Sequence, residues 1–114
     1  MKYAVLIYSN EALSTWETLS EAEQESITGE YFALRELPVT EGGAQLQPGA
    51  TATTVRVENG STLLTDGPYA ETKEVLGGFY LIDVNDLDAA LDFASRVPAA
   101  RMGGLVEVRP LVER

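Results

Sequence analysis

The sequence predicts an α+β fold of the ferredoxin-like β-α-β-β-α-β plan with one inserted β-hairpin. Four apolar or β-branched segments predict the strands of the sheet, and two segments with capping residues and apolar stripes predict the helices. An Asn-Gly pair between the second and third of these strands predicts the hairpin. The 114 residues suit one hydrophobic core, so residues 1–114 are expected to form a single domain.

The first half of the chain predicts a strand and then a helix. Lys2 to Tyr8 is apolar on both faces, which indicates a central strand. Ser20 has a glutamate three residues later, which is the spacing of a capping box. The helix that starts there is expected to end before Pro38, because proline disfavours helical backbone in the residue before it.

The middle of the chain predicts a short strand and the inserted hairpin. Glu41-Gly42-Gly43 predicts a turn into a strand from Ala44 to Gln47. Thr53 to Leu64 predicts the hairpin, because both residues of Asn59-Gly60 tolerate the positive φ of a two-residue loop. Such a loop predicts three cross-strand pairs, namely Glu58 with Ser61, Val57 with Thr62, and Val55 with Leu64.

The last third predicts a strand, a second helix and a final strand. Val75 to Val84 is the long strand, and Asn85 is the predicted cap of the helix. The predicted apolar stripe of that helix is Leu87, Ala90, Leu91, Ala94 and Val97. Leu105 to Leu111 is the final strand. Two helices cover only one face of such a sheet, so a homodimer is predicted to bury the other face.

The charge balance excludes several classes of partner. Eight basic and eighteen acidic residues give a net charge of −10, so nucleic acid and anionic membranes are not predicted partners. No apolar run approaches the ~20 residues of a membrane span. No secretory signal follows the N-terminus, so the cytoplasm is the predicted location.

The chain has neither cysteine nor histidine, which limits its chemistry. A general base would have to be a carboxylate, a tyrosine or a lysine. No metal site and no cofactor are predicted. Four aspartates lie close together in the sequence, as the ligands of a metal cluster would: Asp83, Asp86, Asp88 and Asp92. Asp86 and Asp88 are better explained as partners of a helix N-terminus.

Asp66 is the candidate catalytic residue. It opens the turn Asp66-Gly67-Pro68, where a constrained backbone would direct the carboxylate into a cleft. An aspartate at this position of a turn also hydrogen-bonds its own backbone, and this architectural role is the alternative.

Five further residues are candidate ligand-binding residues. Tyr31, Tyr69 and Tyr80, together with Phe79, would line an apolar pocket that has hydroxyl groups, although aromatic residues in strands are more often core. Arg56 and Arg109 would hold an anionic ligand, and internal carboxylates are their alternative partners.

The chain resembles the DGPF family, a branch of the YCII-related proteins, in a series of ordered motifs. The Asp66-Gly67-Pro68 turn has Tyr69 where the family name has phenylalanine, and the resemblance continues through residues 65–83. The other matching segments are Met1 to Tyr3, Gly43 to Pro48, Ala52 to Arg56, Val97 to Arg101 and Val106 to Pro110.

The resemblance implies a bacterial-type dimeric α+β barrel whose function is unsettled. Wider YCII-related proteins are thought to use a histidine–aspartate pair, but this chain has no histidine and has Val97 where that aspartate often stands. Three hypotheses follow. The protein binds a small molecule or a protein partner without established catalysis; it is a lyase-like or isomerase-like enzyme that uses Asp66; or it is a regulatory module that acts with an extracytoplasmic-function sigma factor.

Overall fold

A computed structural model describes residues 1–10, 16–67 and 74–113, and it consists of one sheet with two helices and one hairpin. The sheet strands are β1 (Lys2–Asn10), β2 (Thr40–Gln45), β5 (Glu74–Asp83) and β6 (Leu105–Pro110). The hairpin strands are β3 (Thr53–Glu58) and β4 (Ser61–Asp66). The helices are α1 (Glu21–Arg35) and α2 (Leu87–Ser95), and single 3₁₀ turns lie at Trp16–Thr18, Gly49–Thr51 and Pro98–Arg101.

The four main strands form an antiparallel sheet in the order β2-β5-β1-β6. β1 lies in the middle and pairs with β5 and β6, which confirms the prediction of a central strand. Both helices contribute to a core on the same face of this sheet. The molecule is therefore an α+β protein, in an arrangement compatible with the ferredoxin-like fold.

The core fills the space between the sheet and the helices. Tyr3 and Val5 from β1 are almost fully buried, as is Ile82 from β5. Leu34 from α1 and Phe93 from α2 pack into the same cluster. The ring of Phe93 meets the ring of Tyr80 edge to face, with centroids 5.4 Å apart.

The N-terminus of α1 confirms the capping box. The Ser20 hydroxyl accepts a hydrogen bond from the Glu23 amide at 3.1 Å, and the Ser20 amide donates to the Glu23 carboxylate at 3.3 Å. These bonds satisfy two amide groups, because Ser20 precedes the helix and Glu23 lies in its first turn. The helix ends at Arg35, before Pro38 as predicted.

α2 differs from its prediction in the cap and in the buried stripe. The cap is Asp86 rather than Asn85, because the Asp86 carboxylate accepts a hydrogen bond from the Ala89 amide at 2.8 Å. Phe93 is buried, whereas Leu87 and Leu91 are exposed. The helix is thus rotated so that the large ring packs on the sheet and the two leucines face outward.

β2 begins earlier than predicted. Thr40 to Gly43 are part of the strand, so the turn predicted at Glu41-Gly42-Gly43 is wrong. The register shifts between Thr40 and Gly42, which places an irregularity at Glu41. Gly43 has φ +151°, and a Cβ atom there would lie 2.3 Å from the Phe79 carbonyl oxygen. The strand pairs this closely with β5 because Gly43 has no side chain.

The hairpin confirms its prediction in detail. Asn59 and Gly60 both have positive φ, and the three predicted cross-strand pairs are present. β3 begins at Thr53 as predicted, and β4 runs two residues longer than predicted, to Asp66. The hairpin forms its own two-stranded sheet and does not extend the main one.

The sheet face away from the helices is called the open face. Strand alternation and the observed register place seven apolar side chains on it. Ile7 pairs with Gly78 and the next residue, Tyr8, pairs with Leu76, so Gly77 is an unpaired bulge residue. Because Leu76 pairs with Tyr8, its side chain lies on the same face as that of Tyr8. The seven residues are Ala4, Leu6, Tyr8, Leu76, Phe79, Leu81 and Leu105. No helix of the described residues covers them.

The surface is larger than a compact monomer of this mass would have. The accessible area is 8039 Å², whereas a folded 12.3 kDa monomer is expected to expose about 6,100 Å². The Cα radius of gyration is 16.0 Å, against about 13 Å for a compact domain of this length. The excess area is about 1,900 Å², which is more than the ~800 Å² that one partner buries in a typical interface.

Candidate functional site

A cavity of about 370 Å³ lies between the segment that connects β2 to the hairpin and the start of β5. One wall is the segment from Leu46 to Ala52, and the other is the start of β5 at Val75 and Leu76. The two walls are joined by a hydrogen bond from the Leu46 amide to the Gly77 carbonyl at 2.9 Å. The lining is mostly aliphatic, and its volume is within the range of small-molecule sites.

Asp66 lies at the end of β4, next to this cavity. The Gly67 amide donates to the carbonyl of Ala52, a lining residue, at 2.6 Å, so the backbone after Asp66 is tied to the cavity wall. The Thr54 hydroxyl donates to the Gly67 carbonyl at 2.8 Å and fixes the same turn. The Asp66 side chain is exposed to solvent. The carboxylate is therefore positioned by backbone contacts and free to meet a ligand or a partner.

Arg56 does not lie beside Asp66 in one chain. Asp66 pairs with Thr53, and Arg56 lies three residues further along β3. Because successive side chains of a strand alternate, Arg56 is on the opposite hairpin face from Asp66. Arg56 instead approaches Glu58 at 3.5 Å on its own face. The Asp66 carboxylate and the Arg56 guanidinium of one chain therefore do not form a pair.

Tyr31 and Tyr80 meet on the core side of the sheet. The Tyr80 hydroxyl donates to the Tyr31 carbonyl at 2.8 Å. Burial raises the pKa of Tyr80 to about 12, and nearby Tyr31 adds to the rise while Arg35 opposes it. Burial also raises the pKa of Tyr31, against the opposing effects of the Ala99 backbone and Arg101. Phe79 is on the open face, so the predicted aromatic pocket does not form as one unit.

The raised pKa of Tyr80 predicts that its phenol ionises only at high pH. The folded-state pKa of about 12 is above the unfolded value of about 10, so the fold favours the neutral phenol. Its contribution to stability is present below pH ~10 and is lost as the pH rises toward 12. Ultraviolet titration should show tyrosine ionisation near pH 12 that Tyr80→Phe reduces. Titration of all tyrosines near pH 10 in the folded protein would contradict this assignment.

The remaining predicted residues lie elsewhere. Arg109 is exposed on β6, and its guanidinium contacts the Glu107 carboxylate at 2.8 Å, which agrees with an internal partner. Register places both residues at the edge of the open face. Tyr69 and Pro68 lie outside the described residues.

The acidic residues near α2 have structural partners. Asp86 caps the helix, and Asp83 accepts a hydrogen bond from the N-terminal amine at 3.0 Å. Across residues 1–10, 16–67 and 74–113, no group of three or more acidic side chains is arranged to hold a metal ion. None of the helices described there has the length and apolar character required to cross a bilayer.

Sequence reasoning missed the cavity itself. Its walls come from residues more than twenty positions apart, and they are ordinary aliphatic or small residues. Leu46 and Pro48 belong to the segment Gly43 to Pro48 that resembles the family, but their side chains give no chemical signal of a binding site.

Comparison with known proteins agrees with the observed architecture. The family model for the YCII-related domain matches residues 1–114. An uncharacterized protein of Rhizobium meliloti (strain 1021) is 44% identical over 117 aligned positions, which cover 97% of this chain and 92% of that protein. A match over the whole chain together with this identity shows that the chain belongs to the YCII-related family.

Proposed function

We propose that the protein is a homodimer of the DGPF branch that binds a small molecule in the cavity beside Asp66, without established catalysis. The observation that supports this most directly is the cavity, which is mostly aliphatic and bordered by a fixed turn with an exposed carboxylate. Leu76 belongs both to the cavity and to the open face. Binding and dimerisation therefore involve the same part of the molecule.

The open face supports the dimer. Apolar side chains at its centre, such as Leu6, Phe79 and Leu81, have no helix to cover them. The excess accessible area is sufficient for one half of a specific interface. Two open faces that pack together would form a dimeric α+β barrel. Light scattering at micromolar concentration should give twice the 12.3 kDa chain mass, and a monomer would reject the dimer.

The cavity favours an uncharged or cationic ligand with an apolar body. Leu46, Pro48, Val75 and Leu76 offer aliphatic contacts. Asp66 does not line the cavity, but it offers an acceptor on the turn that is tied to the cavity wall. The net charge of −10 disfavours anions further. The ligand would bury its apolar part in the cavity and place a hydrogen-bond donor near the turn.

The binding proposal is tested with N-phenyl-1-naphthylamine, an uncharged fluorescent probe of apolar sites. We expect saturable binding by the wild type and about tenfold weaker binding by Leu46→Ser, which removes part of the wall. Leu87→Ser is the matched control, because Leu87 is similarly exposed on α2 and does not line the cavity. Equal losses in both variants, or no saturable binding, would contradict the proposal.

The other hypotheses stay predictions. An enzyme that uses Asp66 needs a second polar group near the carboxylate, and Arg56 lies on the opposite hairpin face of the same chain. Asp66→Asn is expected to leave the melting temperature nearly unchanged, so a selective loss of binding or turnover would assign the carboxylate to function. The association with a sigma factor and the cytoplasmic location rest on the family resemblance and on the sequence.

A further inference from the structure

One face of the hairpin is apolar and exposed. The register places Val55, Val57 and Leu64 on the same face, with Val55 directly opposite Leu64. Their exposed fractions are 59%, 66% and 67%, which are high for three neighbouring aliphatic side chains. These three residues are called the apolar hairpin face. Asp66 belongs to this face as well, at the end nearest the cavity.

The described part of the chain supplies no cover for this face. β3 and β4 pair with each other and make no extensive contact with the main sheet or the helices. The Gly67–Ala52 and Thr54–Gly67 hydrogen bonds fix only the base of the hairpin. An isolated two-stranded hairpin is marginally stable in water. A partner that buries its three exposed aliphatic side chains would therefore stabilise it.

A second copy of this chain fits this requirement best. The apolar hairpin face has no charge of its own apart from Asp66, so two copies with a net charge of −10 each can meet there without close repulsion. The hairpin also adjoins the open face of the proposed dimer. The hydrogen bond from Gly67 to Ala52 joins the hairpin base to the cavity wall, and Leu76 of the same cavity lies on the open face beside Tyr8.

The area supports the same occupant. About 1,900 Å² of excess surface is more than twice the ~800 Å² that one partner contributes to a typical interface. An open-face contact alone would leave the hairpin uncovered. An interface that includes both surfaces covers the hairpin as well.

We propose that the apolar hairpin face of each subunit packs against the second copy, so that the hairpin acts as a dimerisation arm and places Asp66 at the subunit boundary. This inference rests on the proposed dimer and adds the hairpin to its interface. Because the Asp66 turn is tied to the cavity wall, the partner subunit then borders the cavity. The binding site is incomplete in a single chain.

The test compares two adjacent leucines of β4. Leu64→Lys places a charge on the apolar hairpin face, whereas Leu63→Lys places the same charge on the opposite face, opposite Arg56. Sedimentation equilibrium should show that Leu64→Lys raises the dimer dissociation constant at least tenfold and that Leu63→Lys changes it less than threefold. Circular dichroism checks that both variants are folded. Equal effects of the two substitutions would overturn the inference.

A second measurement decides the question without a disruptive charge. The chain has no cysteine, so Leu64→Cys and Leu63→Cys each introduce a single thiol. The Leu64→Cys thiol should react with a disulfide reagent at least tenfold more slowly in the dimer than after dilution to monomer, and the Leu63→Cys thiol should not. If the Leu64→Cys thiol reacts equally fast in a proven dimer and in the monomer, the dimerisation arm is rejected and the dimer is retained. A monomeric wild type would reject both.

Discussion

Gly43→Ala is expected to lower the free energy of unfolding by about 3 kcal/mol. The new methyl group would lie 2.3 Å from the Phe79 carbonyl oxygen, and the backbone φ of +151° is one that side-chain-bearing residues rarely adopt. The obstacle is backbone of the neighbouring strand, which cannot rotate away as a side chain would. Relief requires β2 to separate from β5, which weakens hydrogen bonds along that edge of the sheet.

Gly42→Ala is the matched control for this prediction. Gly42 is the preceding residue, and a Cβ atom there would meet nothing within 4 Å. Its effect should stay within about 1 kcal/mol, because alanine restricts the unfolded chain and adds no clash. Urea unfolding at one protein concentration measures both variants. If both substitutions lower the free energy of unfolding equally, the close pairing of β2 with β5 does not depend on glycine at position 43.

Leu6→Lys is expected to dissociate the proposed dimer. Leu6 lies at the centre of the open face, between Phe79 on β5 and Glu107 on β6. A lysine there would bring its ammonium group into the apolar interface next to Glu107, whose carboxylate is already paired with Arg109, and the desolvation should weaken the dimer about 100-fold. The substitution lowers the net negative charge, so overall repulsion between subunits cannot explain the loss. The monomer fold should survive, because this face does not contribute to the core.

Leu91→Lys is the control for Leu6→Lys. Leu91 is exposed on α2, on the other side of the sheet, so the same charge change should leave the dimer intact. Sedimentation equilibrium measures both. If Leu6→Lys dimerises as tightly as the wild type, the open face is not the interface.

Local signals were sufficient to predict most of the elements. Asn59-Gly60 has one favoured geometry, so the hairpin and its pairs follow from a dipeptide. The capping box at Ser20 is equally local. The choice between Asn85 and Asp86 as a cap is different, because both are good capping residues and only the packing of α2 on the sheet decides between them.

Tertiary packing decided what local signals could not. Phe93 displaces Leu87 and Leu91 from the core because its ring fits against Tyr80. The Gly-Gly pair at Gly43 is typical of a turn, although the role of Gly43 is to allow the close approach of the β5 backbone. The candidate site depends on distance as well: Asp66 was visible from its turn, whereas the cavity beside it forms only when residues 46–52 meet the start of β5.

The pairing of β1 with β6 has a consequence for biosynthesis. Tyr3 lies opposite Pro110, so β1 obtains one of its two neighbours only after residues 105–110 have left the ribosome. Until then, one edge of β1 has unpaired amide and carbonyl groups beside apolar side chains. Strand pairs this distant in sequence form slowly, because a long loop must close first. The nascent chain is therefore most prone to aggregate in the interval when β1 and β5 have emerged but β6 has not.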